Sequence, residues 1–187
     1  MGHVIVIEFI TLDGVVSDPD GSAGTPTGGW AFRHGAEAVA GDKFRLGPVL
    51  DTGILLLGHT TWKLFARLWP HRQDPFASRM NAMPKLVAAP PGTDLSAWSP
   101  SSLVSSDLVT AVRAHREQRD VVVTGSLSVV RQLQERSLVD EYRLLTFPNV
   151  LGTGGPLFPV GGRPIDLTCS SAEQSGAAVL TRWSTAR

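Results

Sequence analysis

The segment Asp120–Phe158 constrains the fold of this chain most, because a strand, a glycine-serine turn, a helix and a second strand follow one another in it. Val121–Val123 is an apolar run without polar alternation, typical of a strand covered on both faces of a parallel sheet. From Leu127 apolar residues recur every third position, as on one side of a helix. Tyr142–Phe147 is the second strand, which Pro148 ends. This order indicates an α/β domain.

The turn between the first strand and the helix is Thr124-Gly125-Ser126. Gly125 permits a tight turn or the close approach of a ligand, and Ser126 suits the N-cap of the helix. The free N–H groups of a helix's first turn attract phosphate groups. A second glycine-rich loop, Leu151–Gly155, follows the second strand. Such turns also serve as plain connections, so the sequence leaves open a connection or a nucleotide-type site.

The rest of the chain continues the alternation of strands and helices. Further strands are predicted at Val4–Ile10, Gly53–Leu57 and Lys85–Ala89, and helices at Glu37–Leu46 and after Asp107. Two alternating segments around Gln174-Ser175-Gly176, at 165–172 and 177–185, indicate a closing hairpin. We predict a single α/β domain over residues 1–187, with a mostly parallel sheet closed by an antiparallel C-terminal hairpin.

Composition excludes several classes of partner. Lys plus Arg and Asp plus Glu number 17 each, so no basic surface indicates nucleic acid or a membrane. No apolar run approaches the roughly 20 residues that a membrane helix needs, and no signal peptide is visible. The single cysteine, Cys169, fits a reducing compartment, so we expect a cytoplasmic protein. The histidines and this cysteine have no metal-ligand spacing, so no metal is expected.

Four motifs in order carry a resemblance to a known family. They are Thr11–Val15, Leu57–Trp62, Met80–Lys85 and the segment from Thr124 to Phe158. Together they resemble the dihydrofolate reductase-like family, which includes the reductase domain of riboflavin biosynthesis and stand-alone bacterial relatives. The resemblance implies a three-layer α/β fold, hydride transfer from NADPH to a small substrate, and a homodimer formed through the closing strands. The alternative for those strands is that Val179 and Trp183 pack within the domain.

The resemblance also implies site residues. Cofactor-binding positions are expected at the two turns and the last glycine-rich loop: Gly58, His59, Thr60, Thr61, Thr124, Gly125, Ser126, Leu127, Gly152 and Gly154. Thr60 or Thr61 is expected to cap its helix. Asp13 is the expected catalytic residue in contact with substrate; its alternative is an Asp that begins a turn before Gly14.

Substrate-binding residues are expected in or beside the long loop 13–31, on the helix after Gly58 and at the start of the second strand. They are Trp30, His34, Trp62, Phe65 and Glu141. The resemblance implies that this loop opens and closes over the site. The alternative interpretation is that the loop is a flexible surface segment. His34 has the alternative of a solvated loop residue. Asp140 is expected to tie the turn after the helix, whereas Glu141 points to the opposite face.

Departures from the family's pattern concern the phosphate contacts. His59 stands where the family usually has Arg, and Ala88-Ala89-Pro90 stand where it has a Ser-Arg pair. Losing two charge-assisted hydrogen bonds, worth roughly 1.5–3 kcal/mol each, weakens NADPH binding by about 100-fold or more. The cofactor is therefore expected to be NADPH, with NADH or no cofactor as alternatives.

Three functional hypotheses follow from the sequence. The first is a nicotinamide-dependent reductase of a small C=N or C=C substrate, motivated by the ordered motifs. The second is an enzyme on this fold that no longer uses a nicotinamide, and the third is a non-catalytic small-molecule-binding protein.

Overall fold

A computed structural model describes residues 1–186 and contains an eight-stranded sheet. The strands are β1 Val4–Thr11, β2 Ile54–Gly58, β3 Lys85–Ala88, β4 Ser101–Leu103, β5 Val121–Val123, β6 Glu141–Phe147, β7 Leu167–Ser175 and β8 Ala178–Thr185. The helices are α1 Val49–Thr52, α2 His59–Leu68, α3 Pro75–Ala82, α4 Leu108–Arg116 and α5 Leu127–Glu135. The hydrogen-bonded order is β4-β3-β2-β5-β1-β6-β8-β7. The predicted fold class, a mostly parallel α/β sheet closed by an antiparallel hairpin, is confirmed.

Contacts divide the chain into two compact units, and the first contains Met1–Val6 and Leu46–Asp140. In this unit β4, β3, β2, β5 and the start of β1 run parallel. Val121–Val123 is completely buried, as expected for an apolar strand covered on both faces. Asp140 accepts hydrogen bonds from the Val4 N–H and the Arg116 guanidinium, which gives it the structural role predicted for it. The single-domain assignment itself stays a prediction.

The second unit contains Ile7–Arg45 and the chain from Glu141 onward. Here β8 pairs antiparallel with both β6 and β7, so the predicted closing hairpin is confirmed. Its core includes Trp30, Phe147 and Leu180, which are almost completely buried. The apolar residues of the long loop therefore belong to the core of this unit.

The helix predicted for Glu37–Leu46 is wrong. Only a short 3-10 turn, Ala36–Ala38, forms there. Gly41 and Arg45 both have positive φ, at 71° and 52°, and this left-handed backbone cannot continue a right-handed helix. The apolar stripe in the sequence reflects packing against the sheet of this unit, where Phe44 stacks on Phe9.

Candidate functional site

Two helices begin beside each other at the carboxyl edge of the parallel strands in the first unit. β2 and β5 are neighbours, with Leu56 opposite Val123. At the end of β2, the Gly58 N–H donates to the Gly125 carbonyl over 3.1 Å. Helix α2 starts directly after Gly58, and helix α5 starts two residues after Gly125. The N–H groups of their first turns therefore lie at the same edge of the sheet.

Both glycines at this edge are required by geometry. A Cβ atom on Gly58 would overlap the side chain of Ser126. Gly125 has φ of 88°, and a Cβ atom there would approach Thr61 Oγ1 to 3.0 Å. The peptide bond between Gly125 and Ser126 is cis. The backbones of the two turns are thus in closer contact than any larger residue would allow.

Helices α2 and α5 differ from two other helices of the same unit in how their N-termini are capped. Asp74 caps α3 by accepting from the Ala77 N–H, and Asp107 caps α4 by accepting from the Thr110 N–H. The N-caps of α2 and α5 make no such side-chain hydrogen bond. No capping side chain therefore occupies the first-turn donors of α2 and α5, so these donors can bond an anion.

Two predicted capping roles are corrected by this geometry. The expectation that Thr60 or Thr61 caps α2 is wrong, because the helix begins at His59 with Gly58 as its N-cap. Ser126 does occupy the N-cap position of α5, yet its hydroxyl lies 3.5 Å from Ser128 Oγ instead of bonding a backbone N–H.

The structure brings together the predicted cofactor positions of the first unit. They are Gly58, His59, Thr60, Thr61, Thr124, Gly125, Ser126 and Leu127. Gly58 is also paired with Ala88 on β3, so the segment after Ala88 begins beside the start of α2. Residues 88–90 are Ala, Ala and Pro and offer no charged side chain there.

In the second unit Asp13 holds the last glycine-rich loop. Its carboxylate accepts from the N–H groups of Leu151 and Gly152, at 3.0 and 2.7 Å, and from Thr11 Oγ1 at 2.6 Å. The hydrogen bonds from Thr11 and Gly152 hold its pKa below the ordinary value. Two successive N–H groups form a typical anion nest, and here the chain's own carboxylate fills it.

This arrangement bears on the predicted roles of Asp13, Gly152 and Gly154. The Gly152 N–H is already bonded to Asp13, and a Cβ atom on Gly154 would collide with Val15. Each of these contacts organises the loop. The substrate role of Asp13 and the cofactor roles of the two glycines stay predictions.

His34 lies at the end of β6 in the same unit. Its Nε2 is 2.9 Å from Asn149 Oδ1, and its ring stacks on Phe147. The Asn149 carbonyl also accepts the Leu12 N–H over 2.9 Å. His34 is thus fixed at the carboxyl end of the strand, and the alternative of a solvated loop residue is the weaker interpretation. Asn149 was not predicted, although its place directly after Pro148 at a strand end is a usable signal.

Trp30 and Glu141 both make hydrogen bonds within the second unit. Trp30 is completely buried, donates from Nε1 to the Ser17 carbonyl and packs edge-on against Phe147. Glu141 accepts from Arg143 Nε at 2.5 Å, and Arg143 is itself buried. These contacts give both residues structural roles, while their substrate contacts stay predictions.

Trp62 and Phe65 belong to an aromatic cluster of the first unit. Trp62 Nε1 donates to Ser101 Oγ, and Phe65 packs edge-on against Trp69 and Trp98. The ammonium group of Lys85 lies 4.3 Å from the centre of the Trp98 ring and donates to the Asn81 carbonyl. Burial lowers the pKa of Lys85 to about 8. No pattern in the sequence around Lys85 indicates that this lysine is buried.

Glu8 is a second ionisable group with an unusual environment. It lies in β1, within the second unit, between the apolar residues Ile7 and Phe9. Burial raises its pKa to about 8, so the carboxyl group is mostly protonated at neutral pH.

Neither a metal cluster nor a membrane-spanning helix occurs among the described residues. Residues 1–186 contain no group of three or more His, Cys, Asp or Glu side chains placed to hold a metal ion. Every helix in this part of the chain is too short or too polar to cross a membrane.

The sequence model of the RibD C-terminal domain matches residues 2–181. The chain belongs to the RibD C-terminal domain family. The family match thus covers both units, including the paired beginnings of α2 and α5 and the loop held by Asp13. No curated protein sequence matches the chain.

Solved structures agree with the RibD C-terminal fold. A Shewanella sp. PV-4 protein whose name links it to riboflavin biosynthesis is 19% identical with a TM-score of 0.72, and the match covers 100% of both chains. The Thermotoga maritima diaminohydroxyphosphoribosylaminopyrimidine deaminase/5-amino-6-(5-phosphoribosylamino)uracil reductase is 15% identical with a TM-score of 0.59, over 99% of this chain and 57% of that one. The riboflavin biosynthesis reductase Rib7 of Saccharomyces cerevisiae is 15% identical with a TM-score of 0.54, over 99% and 90%. At these identities the similarity is evidence of the fold.

Proposed function

We propose that this protein is a reductase that transfers hydride from a nicotinamide cofactor to a C=N or C=C bond of a small substrate of the pyrimidine class. The observation that carries the proposal is the pair of uncapped helix beginnings at Gly58 and Ser126, in a chain of the RibD C-terminal domain family. The names of two similar structures, a 5-amino-6-(5-phosphoribosylamino)uracil reductase and a riboflavin biosynthesis reductase, support the reaction type and the substrate class.

The residues present fit the phosphate-bearing part of a dinucleotide. The first-turn N–H groups of α2 and α5 would hold its phosphates, and the two glycines allow the close backbone approach that this requires. The bound cofactor would supply the hydride. The residues do not favour a 2′-phosphate, because His59 and Ala88–Pro90 replace the guanidinium and hydroxyl groups expected there. We therefore propose that NADH binds about as well as NADPH.

Titration of tryptophan fluorescence with NADH and NADPH tests the proposal. The informative variant is Ser128→Glu, which adds a negative charge to the exposed first turn of α5. Repulsion between the carboxylate and the phosphates should weaken the binding of both cofactors at least tenfold. The carboxylate should not destabilise the helix, because negative charge is favourable near a helix N-terminus. The matched control is Thr110→Glu, which adds the same charge to the first turn of α4 and should leave cofactor binding unchanged.

The outcomes separate the alternatives. Micromolar binding of either cofactor by the wild type, weakened at least tenfold in Ser128→Glu but not in Thr110→Glu, supports the reductase. Absence of quenching at millimolar cofactor rules out the reductase and favours a cofactor-independent enzyme or a ligand-binding protein. The lack of basic side chains at residues 88–90 supports these two alternatives. Turnover of a bound pyrimidine would then distinguish those two.

We also propose a homodimer formed through the closing strands. Val179 is exposed on β8, and Trp183 lies on the same face four residues later. An exposed apolar strand face is a usual dimer surface. Sedimentation should show a species of twice the 20.0 kDa chain mass, and Val179→Asp should convert it to monomer. A wild type that sediments only as monomer removes this proposal.

A further inference from the structure

We propose that Arg143 and Arg182 form a binding site for a doubly charged oxyanion, either free phosphate or the phosphate group of a small metabolite. Both residues belong to the second unit, where Arg143 lies in β6 and Arg182 lies in β8. This site is independent of the proposed reduction, because neither arginine is among the residues predicted to bind cofactor or substrate.

The two arginines lie opposite one another on neighbouring strands. Their Cα atoms are partners in the antiparallel pairing of β6 with β8, so both side chains leave the sheet on the same face. Both guanidiniums donate to one acceptor, the Arg45 carbonyl, with Arg143 Nη1 at 2.6 Å and Arg182 Nη2 at 3.2 Å. Two cationic groups therefore converge on a single oxygen atom.

The positive charge at this point is only partly neutralised. Glu141 forms an ion pair with Arg143. Glu173 forms one with Arg45, which is itself a third cation of the cluster. Within residues 1–186, Arg182 makes no ion pair. The cluster of three guanidiniums and two carboxylates therefore carries excess positive charge, and Arg182 is its member without a counter-ion.

Burial makes this excess charge costly. Like charges directly opposite on neighbouring strands repel one another, and the repulsion grows where water is scarce. Arg143 is only 6% exposed, and Arg182 is half-buried. An anion that bridges the two guanidiniums would replace this repulsion by attraction. The side chains of Arg45 and Glu173 are about half exposed, at 47% and 46%, so the cluster opens to solvent on their side.

Both guanidiniums retain donors for such an anion. Arg143 uses Nε for its ion pair with Glu141 and Nη1 for two backbone carbonyls, so its Nη2 has no hydrogen-bond partner in the described chain. Arg182 donates only from Nη2, which leaves Nε and Nη1. Planar guanidiniums with adjacent N–H groups match the oxygen atoms of a phosphate. The remaining donors therefore suit a tetrahedral oxyanion.

The site lies at the opposite end of β6 from the loop that Asp13 holds. Arg143 is near the beginning of the strand, whereas that loop follows its end. The same two arginines hold the Arg45 carbonyl, and the preceding residue, Phe44, stacks on Phe9 over the core of the unit. A bound anion should therefore stabilise the second unit, and the proposed cofactor should bind as before.

The test is titration calorimetry and thermal unfolding of the full chain with inorganic phosphate, at an ionic strength kept constant with sodium chloride. We expect a Kd of about 1 mM or below, as for a few charge-assisted hydrogen bonds. Phosphate at about ten times the Kd should raise Tm by about 3 °C. Arg182→Gln should weaken phosphate binding at least about tenfold. The matched control is Arg33→Gln, because Arg33 also donates to backbone carbonyls of this unit.

A second variant tests the charge argument without removing an arginine. Ser171 is exposed and is the partner of Arg182 in the pairing of β7 with β8. Ser171→Asp therefore places a carboxylate of the chain beside the guanidinium that lacks one. We expect Ser171→Asp to have a higher Tm than the wild type without phosphate and to lose the response to phosphate. A lower Tm with an unchanged phosphate response contradicts the proposed site.

Ribose 5-phosphate distinguishes the two sources of the oxyanion. Tighter binding of ribose 5-phosphate than of inorganic phosphate identifies a phosphate ester, and equal binding identifies the oxyanion alone. Two results overturn the site: a phosphate effect no larger than that of sodium chloride, or an Arg182→Gln variant that binds phosphate like the wild type. Phosphate binding that is lost only in Ser128→Glu belongs to the helix beginnings of the first unit and also overturns it. Failure of the cofactor titration rejects the proposed function separately.

Discussion

Gly58 and Ser126 belong to different turns, yet they lie so close that any side chain on Gly58 would overlap the Ser126 hydroxymethyl group. This contact joins the end of β2 to the beginning of α5. It is the reason that the first turns of α2 and α5 share one edge of the parallel sheet, and it makes that edge sensitive to small changes in volume.

Replacing Gly58 by Ala should destabilise the protein by about 1–3 kcal/mol, because an added methyl group in a packed contact forces the backbones apart. Urea denaturation measures the change. Adding Ser126→Gly removes the obstructing side chain, so the double variant should recover at least half of the loss. If the double variant is as unstable as Gly58→Ala alone, the contact is not the cause.

Replacing His59 by Arg should strengthen NADPH binding by roughly tenfold or more while leaving NADH nearly unchanged. A guanidinium at the first position of α2 can make a charge-assisted hydrogen bond to the 2′-phosphate, worth about 1.5–3 kcal/mol. Competition between the two cofactors in the fluorescence titration measures the ratio. His71→Arg adds the same charge elsewhere on the first unit and should leave the ratio unchanged.

Lys85 should make the stability of the protein rise with pH in the alkaline range. Its pKa is lowered from 10.5 to about 8 in the folded state, so folding disfavours the ammonium form. The resulting penalty is fully present below about pH 8 and disappears as the pH rises towards 10.5, a change of up to about 3 kcal/mol.

Urea denaturation of the wild type and Lys85→Met at pH 7 and pH 9.5 tests this linkage. Relative to Lys85→Met, the wild type should gain stability at the higher pH. Lys63 is exposed, so the stability difference between the wild type and Lys63→Met should be the same at pH 7 and pH 9.5. A Lys85→Met difference that does not change with pH would contradict burial as the dominant effect.

Replacing Asp13 by Asn should loosen the loop that follows β6. The carboxylate accepts from both Leu151 and Gly152, and the amide oxygen of Asn is a weaker acceptor. Hydrogen exchange at these two amides should accelerate by roughly tenfold, as expected for a locally opened segment. Asp166→Asn, at an exposed position, should leave them unchanged.

The sign of the accompanying pH effect follows from the lowered pKa of Asp13. The carboxylate's contribution is fully present above the ordinary Asp pKa and is lost as the pH falls through the lower folded value. Protection of the Gly152 amide in the wild type should therefore fall towards that of Asp13→Asn only in strong acid. Loss of protection already at pH 6 would point to another group.

Local patterns predicted the elements whose stability is local. Val121–Val123 became a buried strand and Asp107 the cap of α4, because apolar runs and capping side chains act within a few residues. The segment Glu37–Leu46 had an equally good helical stripe but folds as turns. Its apolar side chains gain more by covering the sheet than the chain gains from helix hydrogen bonds.

The fold class, the family and the two turns that present helix beginnings could be predicted from the sequence, because each rests on short motifs whose residues are close together in the chain. Which side chains are already hydrogen-bonded could be read only from the folded chain. Asp13 is bonded to Gly152 across 139 positions of sequence separation, and His34 to Asn149 across 115. No local pattern encodes such pairs, because they arise when distant segments compete for the same hydrogen-bond donors and acceptors during packing.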